Sequence, residues 1–538
     1  MTNFISQLLP STTCGMLGRW LSRGRFFQFP EQRPGYVLPE CYSSMAVSRE
    51  SVQQEISSKS ENCTVDPEMA SRTMLVTWYD ATDPANPHCW PRWIKFMVYF
   101  QINFYTLVVY MASSIFSAAQ SQFETIYGLS KAQGSLGLGL VLLGYGLGAL
   151  LLSPLSEIPT IGRNPPYTIS LALFVLVSGL AVRVDSAAGF LVLRFLQGFF
   201  GSPCLATGAA SLTDITDIIN IPYGIWIWGT FAVAAPAVAP SIAGFSITAH
   251  DWRWSMWVVL WGAAPCLIFL LFLPETFGPA ILHARAARLR ALTGDDSFRA
   301  PSEMESSRYS PQAIVNKALV IPWKINALDP AILFTTVYTA LVYAIFYSFF
   351  EVFQLVYQKI YHMDVAHMGL VFLAAVVAAL LIMPFYVLFI HYAIAQPIRT
   401  SNTSPPPERR LIPALVIAPF VPAGMYLFAW TSRSDIHWTV PTVGFILIMA
   451  GVITLMQCMF GYMAVAYPHY SASLFAMNDF ARSTLAFAAV LWSGPLYAHL
   501  GVEGGTSLIG ALTVPCVLGI WVLYFWGERL RKRSRFAG

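Results

Sequence analysis

The chain has 538 residues, of which 56% are hydrophobic and only 11% charged, and its net charge is +4. A soluble domain usually draws about a quarter of its residues from Asp, Glu, Lys and Arg, so this inventory cannot cover a water-exposed surface. It excludes a soluble enzyme and a nucleic-acid binder and leaves a polytopic membrane protein.

Residues 1–92 are mostly Ser, Glu, Gln and Pro with few sustained apolar runs, which predicts a flexible cytoplasmic tail. Arg19, Arg23 and Arg25 stand near its start. No clean apolar core precedes a small-residue cleavage site, so a secretory signal is not expected. Six apolar runs follow, each long enough to cross a bilayer as a helix: 94–117, 134–155, 167–184, 187–212, 223–248 and 254–273. Residues 274–328 form a polar, basic linker. Six more runs stand at 330–357, 369–392, 411–430, 438–466, 472–499 and 506–526, before a basic tail at 528–538. The expected fold is an all-α integral membrane protein. Twelve transmembrane helices would form two pseudo-symmetric six-helix bundles, 93–273 and 329–527.

Lys and Arg set the orientation. With the N-terminus inside, the loop at Arg163, the linker, Arg399, Arg409, Arg410 and the tail from Arg529 to Arg535 all face the cytoplasm. Lys131, Arg183, Arg253, Lys359 and Arg433 fall outside, so both termini are expected in the cytoplasm. Within the linker, a helix over 282–292 would gather Leu282, Ala286 and Leu289 on one face and spread Arg285, Arg288 and Arg290 over the other. That pattern fits an amphipathic helix on an anionic inner leaflet, and a solvated basic loop equally well. The eight cysteines show no C-x-x-C spacing and read as reduced thiols. N-C-T at 62–64 and N-T-S at 402–404 fall on the cytoplasmic side and read as chance matches to glycosylation acceptors. No nucleotide-binding loop or zinc spacing is present, so ATP-driven transport has no support.

Few polar residues stand inside the apolar runs. Arg194 lies about two turns into the fourth, where an arginine needs water, a carbonyl or an acid beside it. Its competing reading is a structural arginine satisfied by backbone carbonyls. The first run offers Gln101 and Asn103 but no acid. That leaves Glu351, in the seventh, as the intramembrane carboxyl that could bind and release a proton or attract a cationic substrate. If it sits at the outer interface it is simply wet. Asn478, Asp479 and Arg482 stand near the start of the eleventh run; Asn478 could bond substrate or a neighbouring helix, and Arg482 could support an inner gate. Gly144 and Gly148 form a G-x-x-x-G pair suited to close helix packing. Pro236 and Pro240 remove two backbone donors and should bend or stiffen the fifth helix.

Several stretches together resemble the major facilitator superfamily, specifically its fungal twelve-helix branch of drug:proton antiporters. They are SPLSEIPTIGRNPPY (153–167), LRFLQGFFGS (193–202), AAPAVAPSIAGF (234–245), WRW (252–254), PETFGP (274–279), YSFFEVF (347–353) and NDFARS (478–483). The third departs from the family pattern, with Ala235 before Pro236 and a closing Ala243-Gly244-Phe245 where glycines are usual. The resemblance implies a cytoplasmic gate at Glu157, Gly162, Arg163 and Arg482, and proton coupling at Arg194. It also implies a leak-preventing kink at Pro236, Pro240 and Gly244.

The expected function is proton-coupled efflux of small hydrophobic or amphipathic molecules, drugs or toxins, by alternating access. The energy source is the proton gradient, with no cofactor and no metal. The expected partners are a small-molecule substrate, protons and membrane lipid, without nucleic acid, and the chain is expected to act as a monomer. The plasma membrane is the first expectation and the vacuolar membrane the second. The alternatives are an importer or facilitator of a polyamine, vitamin or other nutrient, and a polytopic membrane enzyme. His391, His469 and His499 stand near helix ends without evident catalytic partners, which argues against the enzyme.

Overall fold

A computed structural model of the chain describes residues 7–33, 35–36, 74–80, 82–306, 321–401, 405–467 and 471–533. The tripeptides at 62–64 and 402–404, and His469, lie outside the described residues.

Among the described residues, ten helices are long and apolar enough to cross a membrane. One of them, Leu474–Lys532, contains Gly501 at φ 67° and ψ 176°, so the helix direction breaks between the runs expected at 472–499 and 506–526. Trp254–Leu270 is a shorter apolar helix of 17 residues. Dividing the long helix at Gly501 and adding the short one accounts for every apolar run of the sequence.

Local chemistry sets the helix ends. Ser130 accepts a hydrogen bond from the Gln133 N–H, and the Gln133 side chain accepts one from the Ser130 N–H, which starts Lys131–Leu152. Asp329 accepts from the Ala331 and Ile332 N–H groups ahead of Pro330–Phe353, whose first residue is a proline. Pro203 divides the fourth span into Ala187–Gly201 and Pro203–Thr213.

The chain divides into two compact units, and the division cuts across the expected bundles. The larger unit comprises Tyr99–Pro154, Ile169–Leu267 and Asn316–Gly538. It takes in both sets of spans because first-half helices pack closely on second-half helices. Lys131–Leu152 lies against the helix that begins at Ser471; a Cβ added at Gly146 would stand 2.7 Å from the Ser483 Cβ. Ile221–Ala249 lies against Val365–Phe372, where a Cβ at Gly244 would stand 2.7 Å from the Val365 carbonyl oxygen. Small residues let backbones approach in this way. Within the first half, a Cβ on Gly144 or Gly198 would collide with the Phe195 or Val141 carbonyl, so the glycines of the second and fourth spans are packing residues.

The smaller unit comprises Met1–Val98, Leu155–Thr168 and Ile268–Val315. Here the described tail segments depart from the reading of a flexible tail, whose middle, 37–73, lies outside the described residues. Thr13–Leu21 is a helix, and Met74–Leu75 pairs in parallel with Phe298–Arg299 of the linker. Met74 and Val76 join Ala286, Leu289, Phe298 and Ala300 in an apolar core, with Leu282 packed against it. The linker thus supplies the apolar surface that residues 74–76 lack alone.

Candidate functional site

In the larger unit, buried polar side chains of both halves meet in one layer. Tyr145 and Tyr343 share a hydrogen bond of 2.5 Å, Tyr343 donates to Tyr347 at 3.4 Å, and Tyr347 bonds Ser113 at 2.9 Å. The Arg482 guanidinium stands 4.4 Å from the centre of the Tyr343 ring. Arg482 is paired with Asp479, one helical turn before it, and both are buried. The second carboxylate oxygen of Asp479 has no hydrogen-bond partner among the described residues. Asn478 donates to Thr339 at 2.7 Å, tying the eleventh span to the seventh. Tyr110, Trp228, Tyr343, Gln457, Phe460 and Arg482 border a cavity of about 20 Å³. That is room for about one water molecule, so the layer is closed around its ion pair.

Glu351 is half-buried and belongs to a second polar group. Ser135 donates to its Oε1 at 2.8 Å and the Gln120 amide does so at 3.3 Å. The same amide reaches Glu124 at 2.9 Å. Burial pushes the Glu124 carboxyl above its ordinary range; the Gln120 bond opposes this and the Glu351 charge adds to it.

Arg194 is fully buried among helices of the first half. It donates to the carbonyls of Gly137 at 2.7 Å and Ser113 at 3.3 Å, and to Gln197 at 2.6 Å. This is the arrangement of a helix tie. Asn103 bonds the Tyr99 carbonyl of its own helix at 2.8 Å, and Gln101 lies half-buried on that helix. Ser114 donates to the Pro236 carbonyl at 2.9 Å, and Ser241 to the Gly369 carbonyl at 2.7 Å, so the proline motif forms part of the seam with Val365–Phe372.

In the smaller unit, Gly162 takes φ +78°, and a Cβ there would stand 2.6 Å from a Glu275 oxygen. The Glu275 carboxylate accepts from the Arg163 and Asn164 N–H groups at 3.1 Å, at the start of Asn164–Arg183. An acid at a helix N-terminus is favourably placed. Burial nevertheless pushes Glu275 upward, against the backbone N–H groups and Arg163 that hold it down. Glu157 closes the short turn Pro154–Glu157. Arg482, expected with this gate, is instead in the buried layer of the larger unit.

The linker forms the helix Gly278–Thr293, and its arginines are spent inside the protein. Arg285 is 2% exposed and holds Asp83 through two bonds of 2.6 and 3.1 Å, with Glu31 at 3.5 Å. Arg288 pairs with Glu31 at 3.3 Å and Arg290 with Glu303 at 2.8 Å. Neither alternative for this segment, a helix on lipid or a solvated loop, describes it: its apolar stripe faces the unit's own core and its cations face acids of the tail and of the linker itself. Burial works to raise the Asp83 carboxyl, but the Arg285 bond and charge, with two backbone N–H groups, outweigh it and hold Asp83 below its usual range.

Three site features have no role in the sequence reading. Asp479 stood beside Arg482 at an i, i+3 spacing that places both on one helix face. Glu275 stood in a recognised motif, but its partner lies 112 residues away in sequence. Gln120 and Glu124 precede the second span and carried no periodic signal.

Membrane-spanning helices in two similar halves, meeting at a closed polar layer, define a multi-pass integral membrane transporter. The profile of the Major Facilitator Superfamily matches residues 102–491, and the chain belongs to that family. It is 52% identical over 543 residues to the MFS-type transporter pyvG of Aspergillus violaceofuscus, covering 99% of this chain and 100% of the relative. It is 33% identical over 514 residues to fluconazole resistance protein 1 of Saccharomyces cerevisiae, covering 94% and 91%. With the cycloheximide resistance protein of Candida maltosa it shares 34% over 539 residues, covering 96% and 97%. Among solved structures, the proton:xylose symporter XylE aligns with a TM-score of 0.58 at 12% identity, covering 81% of this chain and 97% of that one. That likeness shows the shared fold.

Proposed function

We propose that the chain is a proton-coupled exporter of small hydrophobic or amphipathic molecules, either drugs or secondary metabolites. It works by alternating access of its halves, 93–273 and 329–527, joined by the linker. It acts as a monomer in the plasma membrane with both termini in the cytoplasm, and needs no cofactor beyond the proton gradient. The names of its relatives, which concern fluconazole, cycloheximide and metabolite clusters, support export.

The observation that carries this reading is the buried Asp479–Arg482 pair where helices of the two halves meet. An ion pair held away from water persists only while both charges are matched. A proton on Asp479 leaves Arg482 without its counter-charge, among the Tyr343 and Phe460 rings and the Met456 sulfur. The stability of the closed seam then changes with each proton bound, which is what coupling requires. Glu351 serves as a second proton-binding carboxyl, and Pro236, Pro240 and Gly244 keep the seam with the eighth span sealed.

The test is efflux from cells preloaded with a panel of fluorescent amphipathic drugs. Native cells should expel at least one dye, and a proton uncoupler, Asp479→Asn or Glu351→Gln should each stop it. Efflux that continues after the gradient collapses overturns the coupled reading in favour of a facilitator. Efflux that survives Asp479→Asn but not the uncoupler moves the coupling site elsewhere.

A further inference from the structure

The helix Thr13–Leu21 carries an apolar face that no described residue covers. Leu17, Trp20 and Leu21 are 50%, 76% and 74% exposed, and their i, i+3, i+4 spacing puts them on one side. Phe26, just beyond, is 70% exposed. Arg23 and Arg25 are exposed, Arg19 is half-buried, and no Asp or Glu precedes Glu31 in the sequence.

The helix is fixed to the ends of two membrane spans. The Cys14 N–H donates to the Leu271 carbonyl at 2.9 Å, just past Trp254–Leu270. Thr13 and Thr168 share a hydrogen bond of 3.0 Å in the first turns of Asn164–Arg183, and the Asn164 amide reaches the Ser11 carbonyl at 3.3 Å. Residues at the end of the sixth span and the beginning of the third stand at the edge of the hydrocarbon core. A helix bonded to both stands at that depth, where an uncovered apolar side meets lipid.

We propose that Thr13–Leu21 lies in the plane of the bilayer surface. Leu17, Trp20, Leu21 and Phe26 enter the boundary between headgroups and acyl chains, and the exposed Arg23 and Arg25 meet anionic headgroups. A tryptophan and leucines on one side with arginines near them are the composition of an interfacial helix. Basic side chains there are attracted by an anionic leaflet. The lipid contact that the sequence pattern suggested for the linker thus belongs to this earlier helix. The inference rests on the two spans crossing the membrane; the leaflet follows from the proposed orientation, and the direction of transport does not enter.

The experiment uses the full-length chain with its native cysteines replaced and an environment-sensitive fluorophore on Trp20→Cys, Leu17→Cys or Asp296→Cys. Each variant is reconstituted in phosphatidylcholine vesicles, with and without phosphatidylserine. Labels at positions 17 and 20 should emit at shorter wavelength, lose intensity to nitroxide-bearing lipids and resist aqueous iodide. The label at 296, on an exposed linker turn, should behave oppositely. Iodide quenching at 17 and 20 without nitroxide quenching overturns the proposal in favour of open solvent. Resistance to both quenchers overturns it in favour of a protein cover. If phosphatidylserine adds nothing to the nitroxide quenching of native-charge protein, the role of the arginines falls. A failed transport assay leaves these readings intact, because the label reports position and not flux.

Discussion

Arg194 makes its hydrogen bonds to two carbonyls and an amide drawn from three spans of the first half. Removing it strands those acceptors in a buried site, at a cost of about 3 kcal/mol. Arg194→Ala should lower the thermal midpoint of the purified protein, and Arg194→Lys should lie between. An unchanged midpoint with lost coupling would return Arg194 to the proton pathway. At Gly162, Ala must take a left-handed backbone, costing about 1–2 kcal/mol, and must displace the Glu275 carboxylate. Gly162→Ala should therefore weaken efflux without loss of the protein from the membrane. Asp83 lies lower in the folded protein than in a free chain, so it stabilises the tail–linker contact above the ordinary aspartate range. That contribution is lost as pH falls through the lowered value. Hydrogen exchange over 74–90 and 278–293 should accelerate below about pH 4, and Asp83→Asn should reproduce this at neutral pH by leaving Arg285 without its main counter-charge.

At the scale of elements, each half ties the end of its last span to the start of its third, by different bonds. In the first half, Glu275 beyond the sixth span is held by the Gly162–Asn164 turn ahead of the third. In the second, Arg531 at the end of the twelfth span is held by Glu408 ahead of the ninth, at 2.8 and 2.9 Å. Each tie lies within its own half, whereas the seams between halves combine small residues with polar bonds such as Tyr145–Tyr343 and Ser135–Glu351. A Cβ on Gly369 would stand 2.5 Å from the Pro240 carbonyl oxygen. Gly369→Val should keep the fifth and eighth spans apart and stop transport while each half stays folded. Raised cysteine labelling along Ser241 and Val365 would report the open seam.

At the largest scale, the cavity of about 20 Å³ beside Arg482 in the larger unit is too small for any drug-sized substrate. The proposed alternating access has the two seams open in turn. Spin labels placed across the Gly146–Ser483 seam and across the Gly244–Val365 seam should show distances that change in opposite directions when pH is lowered. Labels across the Glu275 tie of the first half, between Arg163 and Phe277, should stay fixed. Parallel changes at both seams would contradict alternating access.

The sequence alone determined the class. Apolar runs of bilayer length, the basic residues between them and the motifs at 153–167, 193–202 and 478–483 suffice for a membrane transporter of two similar halves, because lipid permits few other ways to satisfy a backbone. It also made Gly144, Gly148 and Gly162 legible, since only a missing side chain fits a tight helix crossing or a left-handed turn. Only the tertiary structure decided partners. The pattern of Arg285, Arg288 and Arg290 is the same whether the cations meet phosphates or carboxylates. Glu31 and Asp83, more than 200 positions away, fixed the answer for the first two. Glu275 found its N–H donors, and Asp479 its place between halves, in the same way. Periodicity reports which side of a helix is apolar; what lies against that side depends on long-range contacts that no local pattern encodes.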